Sequence, residues 1–341
     1  MFKRNHLNCF FYITVITLIF AYPSLQVYGQ SELDQKAAIV KNSLIKRHNQ
    51  KGTWWTFYNF TSVPKNLKRS NNFFVGMLIV DLLQPFREDQ IIDSLIHKTL
   101  DLSYENINPK NGFLRYYNRI DNLPEDSDDT GLFWYLAQSV DTTFVLTVID
   151  SLQKYQTDNG LYLEWLQKGG IGHMSQTGTN PETIEIVPNI HVFLFLSKYN
   201  TLLAQQLCRS LQIENVISNP ELWVYYLRAP WLYYIRQIDM VNNGCELKSN
   251  LPIEVRSLAN QDIYEKISKL IRDFSLDNKH TDINTQASEL LFQLSDNNFE
   301  YIKKNPMLIY HSDLSSKAPA YFWSYDIPYA LWLRLYHEYK N

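Results

Sequence analysis

The chain has 341 residues, 45% of them hydrophobic, which is enough to fill a substantial core and excludes a disordered chain. Its formal charge of −3 excludes a typical nucleic-acid binder, which carries a basic excess. Aromatic residues are abundant, with 23 Tyr, 18 Phe and 8 Trp, as in a thick helical core or a ring-lined cavity.

The N-terminus reads as an export signal. Lys3 and Arg4 precede an apolar run from Cys9 to Ala21, short for a membrane span, and Val27 and Gly29 place small residues before Gln30. The expected division is a signal peptide over 1–29 and one domain over 30–341. The expected location is periplasmic or extracellular, with an uncleaved N-terminal anchor as the alternative. Cys208 and Cys245 then remain, either paired or both free. Asn59-Phe60-Thr61 has the pattern of a glycosylation sequon.

Helical periodicity governs the rest of the chain. Ser31 and Asp34 make a capping-box-like start to an amphipathic segment that ends near Gly52. Phe73 to Leu83 is apolar on nearly every side, whereas Arg87 to Leu102 has one apolar stripe. The alternation continues with Thr130 to Val140 (apolar), Asp141 to Tyr155 (amphipathic), Ile190 to Leu196 (apolar) and Leu202 to Leu211 (amphipathic). Trp231 to Ile235 is aromatic, Ile263 to Phe274 and Ala287 to Leu294 are amphipathic, and Tyr329 to Tyr336 is aromatic again. The pattern predicts an all-α protein, a single α/α toroid of alternating inner and outer helices. Whether Val241 to Asn298 completes the ring or decorates it stays open.

Two motifs stand out. Leu44-x3-His48-x3-Gly52-x-Trp54 matches Leu152-x3-Gln156-x3-Gly160-x-Tyr162, with a weaker copy in Tyr104-x3-Asn108-x3-Gly112-x-Leu114. Each falls where an amphipathic helix ends, so the polar side chain, glycine and following ring suit a tie between helix end and neighbour. The second motif is Pro124-Glu125-Asp126-Ser127-Asp128-Asp129-Thr130, four carboxylates within five residues, followed directly by Phe133, Trp134 and Tyr135. It serves as a helix start in any protein, since Asp and Ser cap helices well. It also suits an acid: a neighbouring group can keep one carboxyl protonated and orient it, and rings can face a cation.

The first motif resembles the Gln-Trp repeat of the squalene–hopene and oxidosqualene cyclases. Asp126-Ser127-Asp128-Asp129-Thr130 resembles the Asp-x-Asp-Asp-Thr motif of class II terpene cyclases. Both families share the α/α-toroid superfamily with protein prenyltransferase β subunits. The resemblance implies Asp128 as proton donor, assisted by Asp126 and Asp129, on an isoprenoid substrate. It implies no cofactor or metal: Cys208 and Cys245 lack a zinc-ligand context, and no Asp-Asp-x-x-Asp run is present. Class II cyclases generally place this site between two toroids, whereas this chain has room for one.

Further candidates for substrate contact are Phe133, Trp134, Tyr135, Glu182, Glu185, His191, Trp323 and Asp326. Glu182 and Glu185 precede an inner helix and offer a second carboxylate for glycoside chemistry with Asp128. His191 sits on an aromatic helix, where hydrogen-bonded core histidines are common. Gly169 to His173 is read as a loop over one end of the barrel. The expected partner is a hydrophobic isoprenoid or a glycan, with membrane-surface contact a further expectation and nucleic acid excluded. The readings carried forward are a terpene-cyclase-like enzyme, a carbohydrate-active toroid, and a non-catalytic binding or assembly module.

Overall fold

The computed structural model describes residues 32–48, 52–70, 72–115, 124–138, 141–166, 180, 182–213, 215–247, 250–277 and 282–341. The expected signal peptide and the glycine-rich loop at Gly169 lie outside them. In chain order the elements are α1 (residues 32–48), β1 (Thr56–Asn59), β2 (Lys68–Ser70), α2 (Phe74–Leu82), α3 (Gln90–Tyr104) and α4 (Ser127–Leu136). Then come α5 (Thr142–Gln153), α6 (Ile186–Tyr199), α7 (Thr201–Leu211), α8 (Trp231–Asn242), α9 (Asp262–Ser275) and α10 (Ile283–Lys304). The chain closes with β3 (Met307–His311), β4 (Tyr321–Ser324) and α11 (Ile327–Lys340). Helix α10 is broken at Asp296 to Phe299, where three consecutive residues take positive φ.

Apolar periodicity sorts these helices. Every residue of α2 is buried, as is all of α6 from Ile186 to Leu196. By contrast α3 buries one stripe, from Ile92 to Ser103, and leaves the other face wet. Helix α2 packs on α4, α4 on α6, α6 on α8, α8 on α9, α9 on α11 and α11 on α2, so the ring closes. Helix α9 therefore completes the barrel, which answers the question left at Val241 to Asn298.

The all-α expectation is corrected. A four-stranded antiparallel sheet, in the order β2-β1-β4-β3, sits at the end of the barrel where the inner helices begin. Phe57 pairs with Trp323 and Leu308 with the same Trp323, and a bulge falls between Leu308 and Tyr310. Its strands are three to five residues long and rich in rings. Such short aromatic runs read equally as pieces of buried helix.

The repeat has a structural meaning. Gly52, Gly112 and Gly160 all take positive φ (76°, 71° and 82°), which the turn after each outer helix demands. The polar and aromatic positions close that turn: Trp54 Nε1 donates to Leu44 O (3.1 Å), and Gln156 Nε2 donates to Gly160 O (3.1 Å). Inner helices then clamp the segment that follows. Thr130 Oγ1 accepts from Leu114 N (3.0 Å), and Asn189 Oδ1 accepts from Tyr162 N (2.7 Å).

A disulfide joins Cys208 of α7 to Cys245, just past α8. Asn59 of the sequon pattern is buried and engaged by its neighbours. Its side-chain nitrogen already donates to Thr61 Oγ1, Val63 O and Lys65 O, while its oxygen accepts from Trp323 Nε1 at 3.0 Å.

Candidate active site

Helix α4 begins with a division of labour among its acids. Asp126 is the N-cap: its carboxylate accepts from Asp129 N at 2.6 Å, satisfying a donor that the helix leaves open. Asp128 is left for other work. Its Oδ1 pairs with His191 Nδ1 in a very short contact, and its Oδ2 accepts from the Tyr226 hydroxyl at 2.5 Å. The carboxylate is thus held by side chains of other elements and not by its own helix end. Its side chain is 12% exposed, while that of His191 is fully buried.

The approach of α4 to α6 makes this pairing feasible. Gly131 lies against the backbone of His191 and Val192, and a Cβ there would stand 2.7 Å from both His191 C and Val192 N. Around the pair stand rings from several elements. Phe74 packs against His191, and Tyr310 of β3 packs on Phe74 and Tyr226 while stacking on Phe322 of β4. The sheet missed from sequence therefore packs against the residues that surround and hold the acid.

Behind His191 runs a buried charge network. Arg236 Nε donates to His191 Nε2 at 2.7 Å, and Arg236 Nη1 donates to Asp81 (2.7 Å) and Asp239 (2.6 Å). Burial lowers the His191 pKa; Asp128 works against this and Arg236 adds to it. Burial and then Asp81 push Asp239 up to about 6, even beside Arg236.

Burial pushes the other acids near Asp128 upward. Burial first, then Asp128, raises Asp126 well above the usual carboxylate range. Burial and then Asp126 do the same for Asp129, whose Oδ2 has no hydrogen-bond partner among the described residues. Glu164, which approaches through Ser127 Oγ (3.4 Å), is raised by burial and then by Asp128.

The remaining sequence candidates fall elsewhere. Tyr135 shares the Asp128 face of α4, seven residues on, but lines a cavity at the opposite end of the barrel. Phe133 and Trp134 point away: Phe133 packs on Tyr104, and Trp134 packs on Phe144 and Phe195 and donates to Gly112 O. Glu182 is exposed. Glu185 is the N-cap of α6; it accepts from Val187 N, Tyr225 N and Tyr226 N and shows no exposed surface. Trp323 is a β4 core residue tied to Asn59. Asp326 pairs with Arg47 of α1 at 2.9 Å, and burial pushes it up to about 6 against that pairing.

The sequence reading did not single out Tyr226, Arg236, Asp81 or Glu164. Nothing in the sequence marks Tyr226. Asp81 and His191 did leave a signal, since each is a charge or imidazole in an apolar run, as did Arg236 among the rings that open α8, and such groups need buried partners.

This architecture is a terpenoid-cyclase-like fold. A solved structure with which it aligns is a variant of the type II terpene cyclase MstE from Scytonema, in complex with its substrate geranylgeranyl dihydroxybenzoate. The TM-score is 0.58 at 11% identity, covering 92% of this chain and 99% of that chain. At this identity the likeness concerns the fold. No protein-family model and no curated protein matches the sequence.

Proposed function

We propose that the protein catalyses protonation-initiated cyclisation or isomerisation of an isoprenoid, with Asp128 as the acid. The observation that carries this reading is the placement of the Asp128 carboxyl. It is free of its own helix end and held by His191 and Tyr226, whose rings pack in turn against Phe74 and Tyr310. The MstE structure supports it, because a chain covered almost end to end by this one binds a prenylated substrate. A second toroid is then not required.

In the chemistry, the proton leaves Asp128 Oδ2 for an alkene carbon. The π pair becomes the new C–H bond, and a tertiary cation remains. The Tyr226 hydroxyl donates to Oδ2 and the His191 N–H to Oδ1, so the new carboxylate meets two donors already in place. Rings face the cation, which a further alkene captures before a proton is lost. Burial raises Asp126, Asp129 and Glu164, which favours their neutral forms around the acid.

The glycoside reading loses support, since every Glu185 contact is to backbone N–H groups and Glu182 is exposed. Export belongs to the same proposal: the Cys208–Cys245 disulfide is a bond typical of oxidising compartments and fits the signal-like residues 1–29.

The test incubates wild type and Asp128→Asn with polyprenyl alcohols and prenylated arenes in heavy water. Wild type should give a cyclised or isomerised product carrying one deuterium, and the variant none. A wild type that converts nothing, or a variant that matches it, sinks the reading.

A further inference from the structure

The charge network behind His191 contains more than the proposed chemistry uses. Arg236 lies in α8 with its side chain fully buried. A guanidinium has five N–H groups and no acceptor, and it stays protonated in proteins. Because Arg236 Nε donates to His191 Nε2, that nitrogen presents its lone pair, and the ring hydrogen must sit on Nδ1, facing Asp128. A doubly protonated ring would set N–H against N–H.

We propose that Arg236 is a positioning residue that fixes His191 as the neutral tautomer protonated on Nδ1, and that Asp81 and Asp239 hold Arg236 in place from a cavity at the opposite end of the barrel. Asp81 comes from α2, and Asp239 lies one turn beyond Arg236 in α8. Both carboxylates line a cavity of about 260 Å3, together with Tyr135 and Lys198. The groups facing the imidazole are therefore Asp128 from α4 and Arg236 from α8, with Asp81 behind Arg236 and the Phe74 ring at 6.2 Å from α2.

The tautomer matters for an acid. An imidazolium beside Asp128 would hold it as a carboxylate, with no proton to give. A neutral ring leaves the carboxyl able to carry its proton, yet still offers one N–H to the anion formed when that proton departs. The fixed cation one residue behind provides the field that a protonated histidine would otherwise supply. The network thus spans the barrel, and the far cavity opens onto its anchor without touching the acid.

The positioning role rests on the reading of Asp128 as the acid; the tautomer does not, so two measurements separate them. The first is 15N NMR of histidine-labelled protein between about pH 5 and 8, with His191→Gln used to assign the signal. In wild type, His191 should show a single protonated nitrogen, Nδ1, unchanged across the range. Removing Arg236 alone would strand two buried acids, so the comparison is Arg236→Met combined with Asp81→Asn and Asp239→Asn. In that variant, checked as folded by circular dichroism, His191 should gain a second ring proton toward the acid end. A wild-type imidazolium, a wild-type Nε2–H tautomer, or a folded variant with the wild-type signal would overturn the assignment. The second is steady-state kinetics of Arg236→Lys on a converted isoprenoid. Here kcat should fall by roughly 10²-fold, the low end of a general acid's contribution, with KM unchanged. An unchanged kcat would remove the positioning role. A wild type inert on every isoprenoid but showing the expected NMR signal would remove the cyclase reading and leave the tautomer standing.

Discussion

Helices α4 and α6 begin in the same way and then diverge. Each opens on a carboxylate cap, Asp126 or Glu185. Four residues later each carries a polar side chain, Thr130 or Asn189, that clamps the segment after a repeat glycine. Between cap and clamp, α4 has Asp128 and Asp129 where α6 has Val187 and Pro188. The shared positions belong to the architecture. Three positions differ: Ser127 against Ile186, and the two that hold the acid and its buried neighbour Asp129. An acidic helix start is thus not one feature but two, and only comparison with its neighbour separates them.

The largest expected effect breaks the α4 side. Asp128→Asn should lower kcat on a converted isoprenoid by at least about 10²-fold, while circular dichroism and the thermal midpoint stay close to wild type. A comparable loss in Glu185→Gln would erase the distinction between the two starts. Next comes the α6 cap. Glu185→Ala removes one acceptor from three backbone N–H groups and should cost about 3 kcal/mol in urea unfolding. Asp126→Ala, which strands a single N–H, should cost about 1 kcal/mol. Between these lies Gly131→Ala. A methyl there meets α6 backbone at 2.7 Å, so about 1–3 kcal/mol of overpacking is expected, along with a slower reaction as Asp128 parts from His191.

The smallest effect is in pH. Burial, working against the backbone N–H of Val187, pushes Glu185 up to about 8 from 4.5. The folded chain therefore keeps a proton that the unfolded chain releases. That stabilisation is whole below 4.5 and is lost as pH rises through about 8. The urea midpoint should fall over this interval, and Glu185→Ala should flatten the fall. His48 and His311, each lowered by burial to about 4, act in the opposite sense; their contribution is whole above 6.5 and lost toward 4.

Much of the helical order was legible in the sequence because burial on all sides and burial on one side leave different periodicities. The repeat was legible because its glycines have a backbone reason to recur. Asp128 and His191 were each visible, but not as a pair, since their meeting depends on Gly131 letting two helices touch. The sheet was hidden for a different reason. Tyr-Phe-Trp-Ser over Tyr321 to Ser324 is too short for alternation to declare itself, and its partner β1 lies near the other end of the chain. Tyr226 was hidden with it, in a connection with no periodicity. Asp81 was readable as the lone charge of an apolar helix, and Arg236 with Asp239 as a charged pair one turn apart in α8, had they been matched to each other.

The pairing of Phe57 with Trp323 has a consequence for how the protein is made. Strand β4 lies between β1 and β3, and Asp34 of α1 bonds to Tyr336 and Lys340 of α11. The first and last thirds of the chain therefore lock together, and a growing polypeptide holds β1 and β2 without β4 until synthesis is nearly complete. Pairings this distant in sequence close late and slowly. The sheet that packs against Tyr226 should thus be among the last parts of the molecule to assemble.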